Sequence, residues 1–510
     1  MRNQPKRDVP CDQPKKRQRV QDPVEAVSYL CQGAAAAEQD GPAVRVSSEW
    51  QKAANDIRKF GEAVPLSDVI SGSNRGQHLA ASAPSTASDR VQAQAPVVVV
   101  CGTKNVGKST FSTFLVNDLL KKYPTVAFLE TDVGQPEFSA PGCLSLHIFS
   151  ERLSSQPRVQ LLEPLRCYFY GDISPKQDPE KYLRSTLALY SYFRQHGAQQ
   201  QQAELPSIAV SEGHVPQSPS PSVANAERQM TAATPLVINT NGWIRGLGLD
   251  VLIDILRHVT PTHVVQILSP LTAKNLPPGA FWDPPSAEPS PVHIMNIPSA
   301  LSGEEQRKGQ QGGGGLENRN LRITALLRSA CEGLTPVIHH SEEGTAYADT
   351  ARALVHTRPY VVPLSQVQIL HLHAVVPAGE SLAVANAAIV GLTVRSTKIL
   401  QSVSAGNAGA QIGIPNESTN DDLPLCIGLG LIRSIDVVGN RAYLLTNVPL
   451  RQLRRVNTFL VGKVEMPVRL LQWGPYSSPY LCHNSIATEG TGSAPIKSRN
   501  NLLRRAQVDA

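Results

Sequence analysis

Aromatic side chains make up only 5% of the 510 residues, and the eight cysteines are scattered, with no C-x-x-C pair among them. Scattered thiols exclude a disulfide scaffold and a cysteine-based zinc cluster, and they suit a reducing compartment. Most are expected to be small, buried apolar residues. No apolar run approaches the ~18 residues of a membrane-spanning helix, and no apolar signal region follows Met1. A soluble intracellular protein with no membrane partner is therefore expected. The remaining composition supports large cores (41% hydrophobic) alongside much loop and linker, with 40 prolines and 36 glycines. Length predicts two to four domains. A net charge of +6 permits a nucleic-acid partner without requiring one, because solvated surface lysines would give the same figure.

The most informative segment is Val97–Ser109, an apolar strand running into Gly102-Thr103-Lys104-Asn105-Val106-Gly107-Lys108-Ser109. It fits G-x-x-x-x-G-K-[ST]. Glycines let successive N–H groups converge on an anion with no Cβ in the way. Lys108 supplies a point charge for the β- and γ-phosphates, and the Ser109 hydroxyl suits one Mg2+ position. The amphipathic stretch Thr110–Lys122 predicts a helix whose N-terminus faces the nucleotide. Residues Gly102 through Thr110 are the candidate contacts for ATP or another nucleoside triphosphate.

Around this loop, strands and helices alternate. Strands are expected at 97–101, Thr125–Glu130, Pro235–Asn239 and Thr262–Leu268, and helices at Ser47–Phe60, Pro179–Gln195 and Leu249–His258. Such alternation predicts an α/β fold of phosphate-loop NTPase type, a mostly parallel sheet with helices on both faces. The Ser/Pro/Gln-rich stretch near 198–234 and the glycine-rich stretch near 302–316 read as disordered insertions. After about residue 358, short β-rich runs at 367–376, 388–394, 426–438 and 441–446 predict a smaller β-sandwich or barrel-like domain. The expected organisation is thus a largely disordered region at 1–95, a phosphate-loop core at 96–357, a β-rich domain at 358–487 and a loose basic tail at 488–510.

The second strand ends in Glu130-Thr131-Asp132-Val133-Gly134-Gln135-Pro136. Acidic groups at the carboxyl end of a strand beside the phosphate loop sit where Mg2+ and an attacking hydroxyl would be. Asp132 could hold the metal or accept a proton, and Glu130, two residues earlier, should point to the same side. The pairing of G-T-K-N-V-G-K-S with D-V-G-Q-P-E-F resembles the polynucleotide 5′-hydroxyl kinases. Phe169–Pro175 is similar to that family's F-x-G-x-x-S-P segment, and Asn239–Gly248 to its N-T-x-G-W-x-x-G-x-G segment. Val390–Leu392, Cys426–Gly430 and Leu445–Leu450 look most like its nucleolar, pre-ribosomal branch, so the resemblance covers roughly 96–473.

The resemblance implies an RNA 5′-hydroxyl kinase acting on cleaved pre-rRNA, in complex with the endoribonuclease that leaves the 5′-hydroxyl. It also implies a mobile lid whose arginines close over the triphosphate, here Arg319 and Arg322, three apart on one helix face after the glycine-rich stretch. Trp243, between glycines past a strand, suits a base-stacking platform as well as a packing role. Gln135, Ser174 and Thr240 are further substrate candidates, though Ser174 and Thr240 equally suit caps or turns. Family members often carry a folded β-rich domain before the core, whereas about 95 mostly low-complexity residues precede it here. Pro14-Lys15-Lys16-Arg17-Gln18-Arg19 reads as a nuclear-import signal, or else as a solubilising tail. Two rivals are an ATP-bound scaffold subunit with little kinase activity and a GTPase, the latter disfavoured because no N-K-x-D motif appears. His339-His340 and His371/His373 lack acidic or cysteine companions at ligand spacing, so no metal is expected there; the last two should alternate on one strand face.

Overall fold

The computed structural model describes residues 46–60, 95–154, 158–203, 234–283, 292–299, 314–339, 343–395 and 423–471. The lysine/arginine run at 15–19 and the tail at 488–510 lie outside them. So do Cys11, Cys31 and Cys482, while the five cysteines within them are free and buried, as small apolar residues would be.

The central sheet is built from β1 (Val97–Cys101), β2 (Val126–Glu130), β3 (Cys143–Phe149), β5 (Arg166–Phe169), β6 (Leu236–Asn239), β7 (His263–Leu268) and β8 (His293–Pro298), with a two-residue β4 (Arg158–Val159) between β3 and β5 in sequence. Its order is β5-β3-β2-β6-β1-β7-β8. The run β2-β6-β1-β7-β8 is parallel, and β3 and β5 extend it antiparallel. The central parallel strands β1, β2, β6 and β7 are mostly apolar because both their faces are covered, whereas the edge strand β8 is largely exposed. Alternation along β1 shows this directly. Val98 and Val100 pack with α1 (Ser48–Arg58) and α2 (Lys108–Leu119), whereas Val97, Val99 and Cys101 pack with α3 (Pro179–Ala203) and α4 (Leu247–Val259).

Helix boundaries follow local chemistry. The Ser47 hydroxyl caps α1 by accepting the Trp50 N–H, and the Asp178 carboxylate accepts the Lys181 N–H at the start of α3. Helix α3 runs eight residues past the expected end, so 198–203 are helical rather than part of an insertion. Likewise α5 (Gly314–Ser329) begins within the stretch read as glycine-rich insertion.

Beyond α5 come β9 (Ile338–His339), paired with β4, and α6 (Glu343–His356). The C-terminal strands β10 (Tyr360–Pro363), β11 (Gln368–His371), β12 (Ile389–Val394), β13 (Leu425–Asp436), β14 (Arg441–Leu445) and β15 (Thr458–Val461) form one open six-stranded sheet, neither sandwich nor barrel. It needs no second sheet of its own, because it covers one face with the edge of the first. Cys143, Cys167 and Phe169 share a core with Leu321 and Leu327 of α5 and with Ile389, Leu429 and Leu460. Glycines permit the approach: a Cβ on Gly391 would meet the Phe169 ring at 2.6 Å, and one on Gly462 would meet the Gly171 carbonyl at 2.2 Å. The expected strand over 367–376 stops at His371. His373 adopts a left-handed φ of 58°, and its Nε2 hydrogen-bonds the Tyr170 carbonyl, so the two histidines do not share a strand face.

Candidate functional site

Parallel register brings three strand ends together. Val100 of β1 and Glu130 of β2 both pair with Asn239 of β6, so β6 lies between the phosphate loop and the acidic segment. The acidic strand is therefore one strand removed from the loop, and Asn239 bridges the gap. Its Nδ2 donates to Ser109 Oγ at 3.1 Å and to Glu130 Oε1 at 3.0 Å. Nothing in spacing alone marked Asn239; the register of two distant strands was needed.

The loop has the conformation its glycines were expected to allow. Gly102 (φ 141°), Asn105 (φ 59°) and Gly107 (φ 98°) take positive φ, and a Cβ on Gly102 would sit 2.6 Å from the Ile267 carbonyl. Gly107 then opens α2 as its N-cap residue, leaving the helix N-terminus directed at an anion site. Above it lies a cavity of about 550 Å3. Thr103, Lys104, Asn105, Gly107, Lys108, Ser109 and Thr110 line it from the loop, while Gly102 and Val106 lie buried beneath. Lys108 is 6% exposed and its Nζ rests on the Thr103 carbonyl at 2.9 Å. Burial pulls its ammonium below the usual lysine range, and the Asp132 carboxylate opposes that pull.

Asp132 lines the cavity from the opposite strand end. Its Oδ1 accepts the N–H groups of Gly134 and Gln135 at 3.0 and 3.1 Å, which fixes the carboxylate on its own turn. Glu130 does not accompany it. The Glu130 carboxylate is fully buried and turns back to accept the N–H groups of Asp132 and Glu137. It is a support for the Asp132 segment, not a lining residue.

Helix α5 closes the cavity with Gly315, Asn318, Arg319 and Arg322. Burial lowers the Arg319 guanidinium from its ordinary value, and Asp132 holds it up. Arg322 donates through Nε to the Pro136 carbonyl and pairs with Glu137 at 3.2 Å. The two arginines do share a helix face, but α5 is no bare flap, since Leu321, Ile323, Leu326 and Leu327 are buried in the core shared by both sheets.

Gln135, Ser174 and Trp243 also line the cavity; Thr240 does not. Its hydroxyl donates to the Val100 carbonyl at 2.8 Å, tying the end of β6 to β1 away from the cavity lining. Trp243 is half-buried and belongs to no core cluster. Its backbone N–H donates to Asn241 Oδ1 at 2.8 Å, its ring packs over Gly248, and the Lys176 ammonium lies 5.8 Å from the ring centroid. Asn241 and Arg245, also at the cavity, stand at unspecified positions of the Asn239–Gly248 segment, and Lys176 follows the Phe169–Pro175 segment.

Residues 102–211 and 222–277 match the family described as mRNA cleavage and polyadenylation factor CLP1 P-loop, and residues 355–467 match the NOL9-like C-terminal domain. The polynucleotide 5′-hydroxyl-kinase NOL9 of Arabidopsis thaliana is 35% identical over 397 residues, covering 78% of this chain and 92% of the relative. The chain belongs to the NOL9 family of polynucleotide 5′-hydroxyl-kinases. The NOL9 kinase of Danio rerio is 30% identical over 79% of this chain, and the human one 28% identical over 73%; the chain spans about half the length of each, 51% and 49%. A solved complex of Clp1p with Pcf11p is similar at 14% identity over 74% of this chain, with a TM-score of 0.44. Family and loop geometry together make the cavity over Lys108 the nucleotide site.

The burial of Glu130 predicts a stability that depends on pH. Burial pushes its carboxyl from the ordinary 4.5 up to about 8, although the N–H groups of Glu137 and Asp132 pull the other way. The folded chain then keeps a proton that the unfolded chain releases, so stability is highest below the unfolded value and falls as pH rises toward and through the folded one. Without nucleotide or Mg2+, the melting temperature is expected to fall as pH rises from about 5 to about 9, and to fall less in Glu130→Gln. Equal slopes in the two proteins would contradict this.

Proposed function

We propose that this kinase transfers the γ-phosphoryl group of ATP to the 5′-hydroxyl of cleaved RNA. The carrying observation is the convergence of Lys108, Asp132 and Arg319 on one cavity of about 550 Å3. Lys108 and the loop amides hold the phosphates, Asp132 takes the proton of the 5′-hydroxyl, and Arg319 and Arg322 offset charge on the transferred group. Such transfer depends mainly on positioning and electrostatics.

Mg2+ fits the residues present. The Ser109 hydroxyl and Asp132 carboxylate are hard oxygen donors at the same cavity, and Asn239 Oδ1, on the amide that touches Ser109, is buried with no hydrogen-bond partner. Among the described residues no trio of histidine, cysteine or acid could cage a metal. The Ser109 and Asp132 donors suit an ion held by one carboxylate and substrate phosphates. When bound there, Mg2+ would neutralise charge on the β- and γ-oxygens.

Trp243 would stack on a base of the RNA and Lys176 would meet its backbone. If so, Trp243→Ala should weaken RNA binding by ~1–3 kcal/mol, with ATP affinity and melting temperature little changed. A sharp drop in melting temperature with unchanged RNA affinity would instead make the ring a packing residue, whose truncation typically costs ~3–5 kcal/mol.

The finer assignment is pre-rRNA processing in the nucleus and nucleolus, alongside an endoribonuclease that leaves 5′-hydroxyl ends. It is supported by the likeness of 355–467 to the NOL9-like C-terminal domain and by the Lys15–Arg19 run. Residues 1–25 fused to a fluorescent reporter should carry it into the nucleus, and an evenly cytoplasmic reporter would defeat the address. Labelled phosphate donor offered with 5′-hydroxyl RNA and DNA tests the activity itself.

A further inference from the structure

Helix α1 lies before both family matches, which begin at residues 102 and 355, and nothing in the loop motif calls for it. Its apolar residues Trp50, Ala53, Ala54 and Ile57 follow helical spacing, and all four are buried against α2 and the underside of the sheet. One ion pair and one cap pin its far end: Arg58 meets Asp118 at 3.3 Å, and the Lys122 ammonium donates to the Arg58 carbonyl at 2.8 Å. The near end carries the largest side chain, and that side chain reaches the phosphate loop.

Trp50 is fully buried and does not line the nucleotide cavity. Its ring edge packs 3.1 Å from where a Cβ of Gly107 would stand, and it meets Phe111, one turn along α2, edge-on at 5.2 Å. Its Nε1–H donates to the Pro298 carbonyl at 2.8 Å, fixing the indole to the end of β8. The next residue, Ser299, donates through its hydroxyl to the Val106 carbonyl at 2.9 Å. Both Val106 and Gly107 are thus held from outside the loop. Gly107, at φ 98°, is the residue where the loop turns into α2, so its position sets where the neighbouring amides point.

We propose that Trp50 is a positioning residue for nucleotide binding, its indole buttressing Gly107 so that the loop amides stay converged on the phosphates. The inference rests on nucleotide binding at this loop and not on phosphoryl transfer. A void at Trp50 leaves Gly107, which has no side chain of its own, without the surface it packs on, and close-packed interiors refill such voids only partly. Small misplacement of groups that hold a phosphate is costly to binding and rate.

Calorimetric titration of the full chain with ATP and with inorganic tripolyphosphate, well below every melting temperature, tests this. Trp50→Ala should weaken both ligands about tenfold or more, equivalent to ~1.4 kcal/mol, and Trp50→Phe, which keeps a ring but loses the N–H, should fall between. Ile57→Ala is the control for lost burial in the same helix, two turns away. It should lower the melting temperature while leaving both affinities within about twofold. In transfer assays Trp50→Phe should raise the apparent KM for ATP by a larger factor than it lowers kcat at saturating ATP. Wild-type affinity in both Trp50 variants, or equal weakening by Ile57→Ala, would overturn the proposal. A wild-type protein that binds ATP but labels no RNA would defeat the kinase function while leaving this comparison intact.

Discussion

Lys108→Ala is expected to abolish labelling of a 5′-hydroxyl oligonucleotide while the protein stays folded. The Lys108 ammonium donates to the Thr103 carbonyl at 2.9 Å in a nearly dry position. Burial already disfavours its charge, and Asp132 is the main group favouring it. An incoming triphosphate offers the ammonium much stronger partners than a single carbonyl, so binding and transfer both lean on it. Alanine removes that charge and leaves the glycine-defined loop path in place. The check is a transfer assay beside a thermal melt: residual turnover near wild type would show that the loop amides suffice without the lysine.

Asp132→Asn should separate chemistry from binding. The Gly134 and Gln135 amides donate to Oδ1 of Asp132, and an asparagine oxygen accepts the same two bonds. The turn therefore survives the change. What is lost is the negative charge and the basic second oxygen, so nucleotide affinity should persist while kcat falls by about two to four orders of magnitude, the usual contribution of a positioned proton acceptor. Loss of the Asp132 charge also removes the partner that steadies the Lys108 and Arg319 cations. A kcat within about tenfold of wild type would assign proton acceptance elsewhere.

The features legible in the sequence were those written in contiguous residues. The strand–loop–helix over 97–119 could be read because glycine, lysine and serine spacing states its own geometry. So could the parallel strands, whose apolar runs mark burial on both faces. Pairings between distant segments were not legible. Asn239 bridges Ser109 and Glu130 only because β6 inserts between β1 and β2. Thr240, chosen for its hydroxyl, spends it on the Val100 carbonyl for the same reason. Glu130 followed the period-two rule only while the strand lasted; past its end the chain turns, and the carboxylate caps the turn instead of facing the cavity. The C-terminal strands were visible as short β-rich runs, yet their order in one open sheet, and the close approach of Gly391 and Gly462 to Phe169 and Gly171, join segments far apart in the chain. The helical spacing of α1 was plain, whereas the loop under which Trp50 sits could not be guessed from it.

One measurement bears most directly on the central claim: incubation of the purified full chain with Mg2+ and ATP labelled at the γ-phosphate, with 5′-hydroxyl RNA as acceptor and the same RNA already 5′-phosphorylated as control. Label is expected on the 5′-hydroxyl RNA alone, and none with Lys108→Ala. A protein that binds ATP yet leaves 5′-hydroxyl RNA unlabelled, both alone and with a nuclease partner that generates such ends, would contradict phosphoryl transfer and make the chain an ATP-bound scaffold.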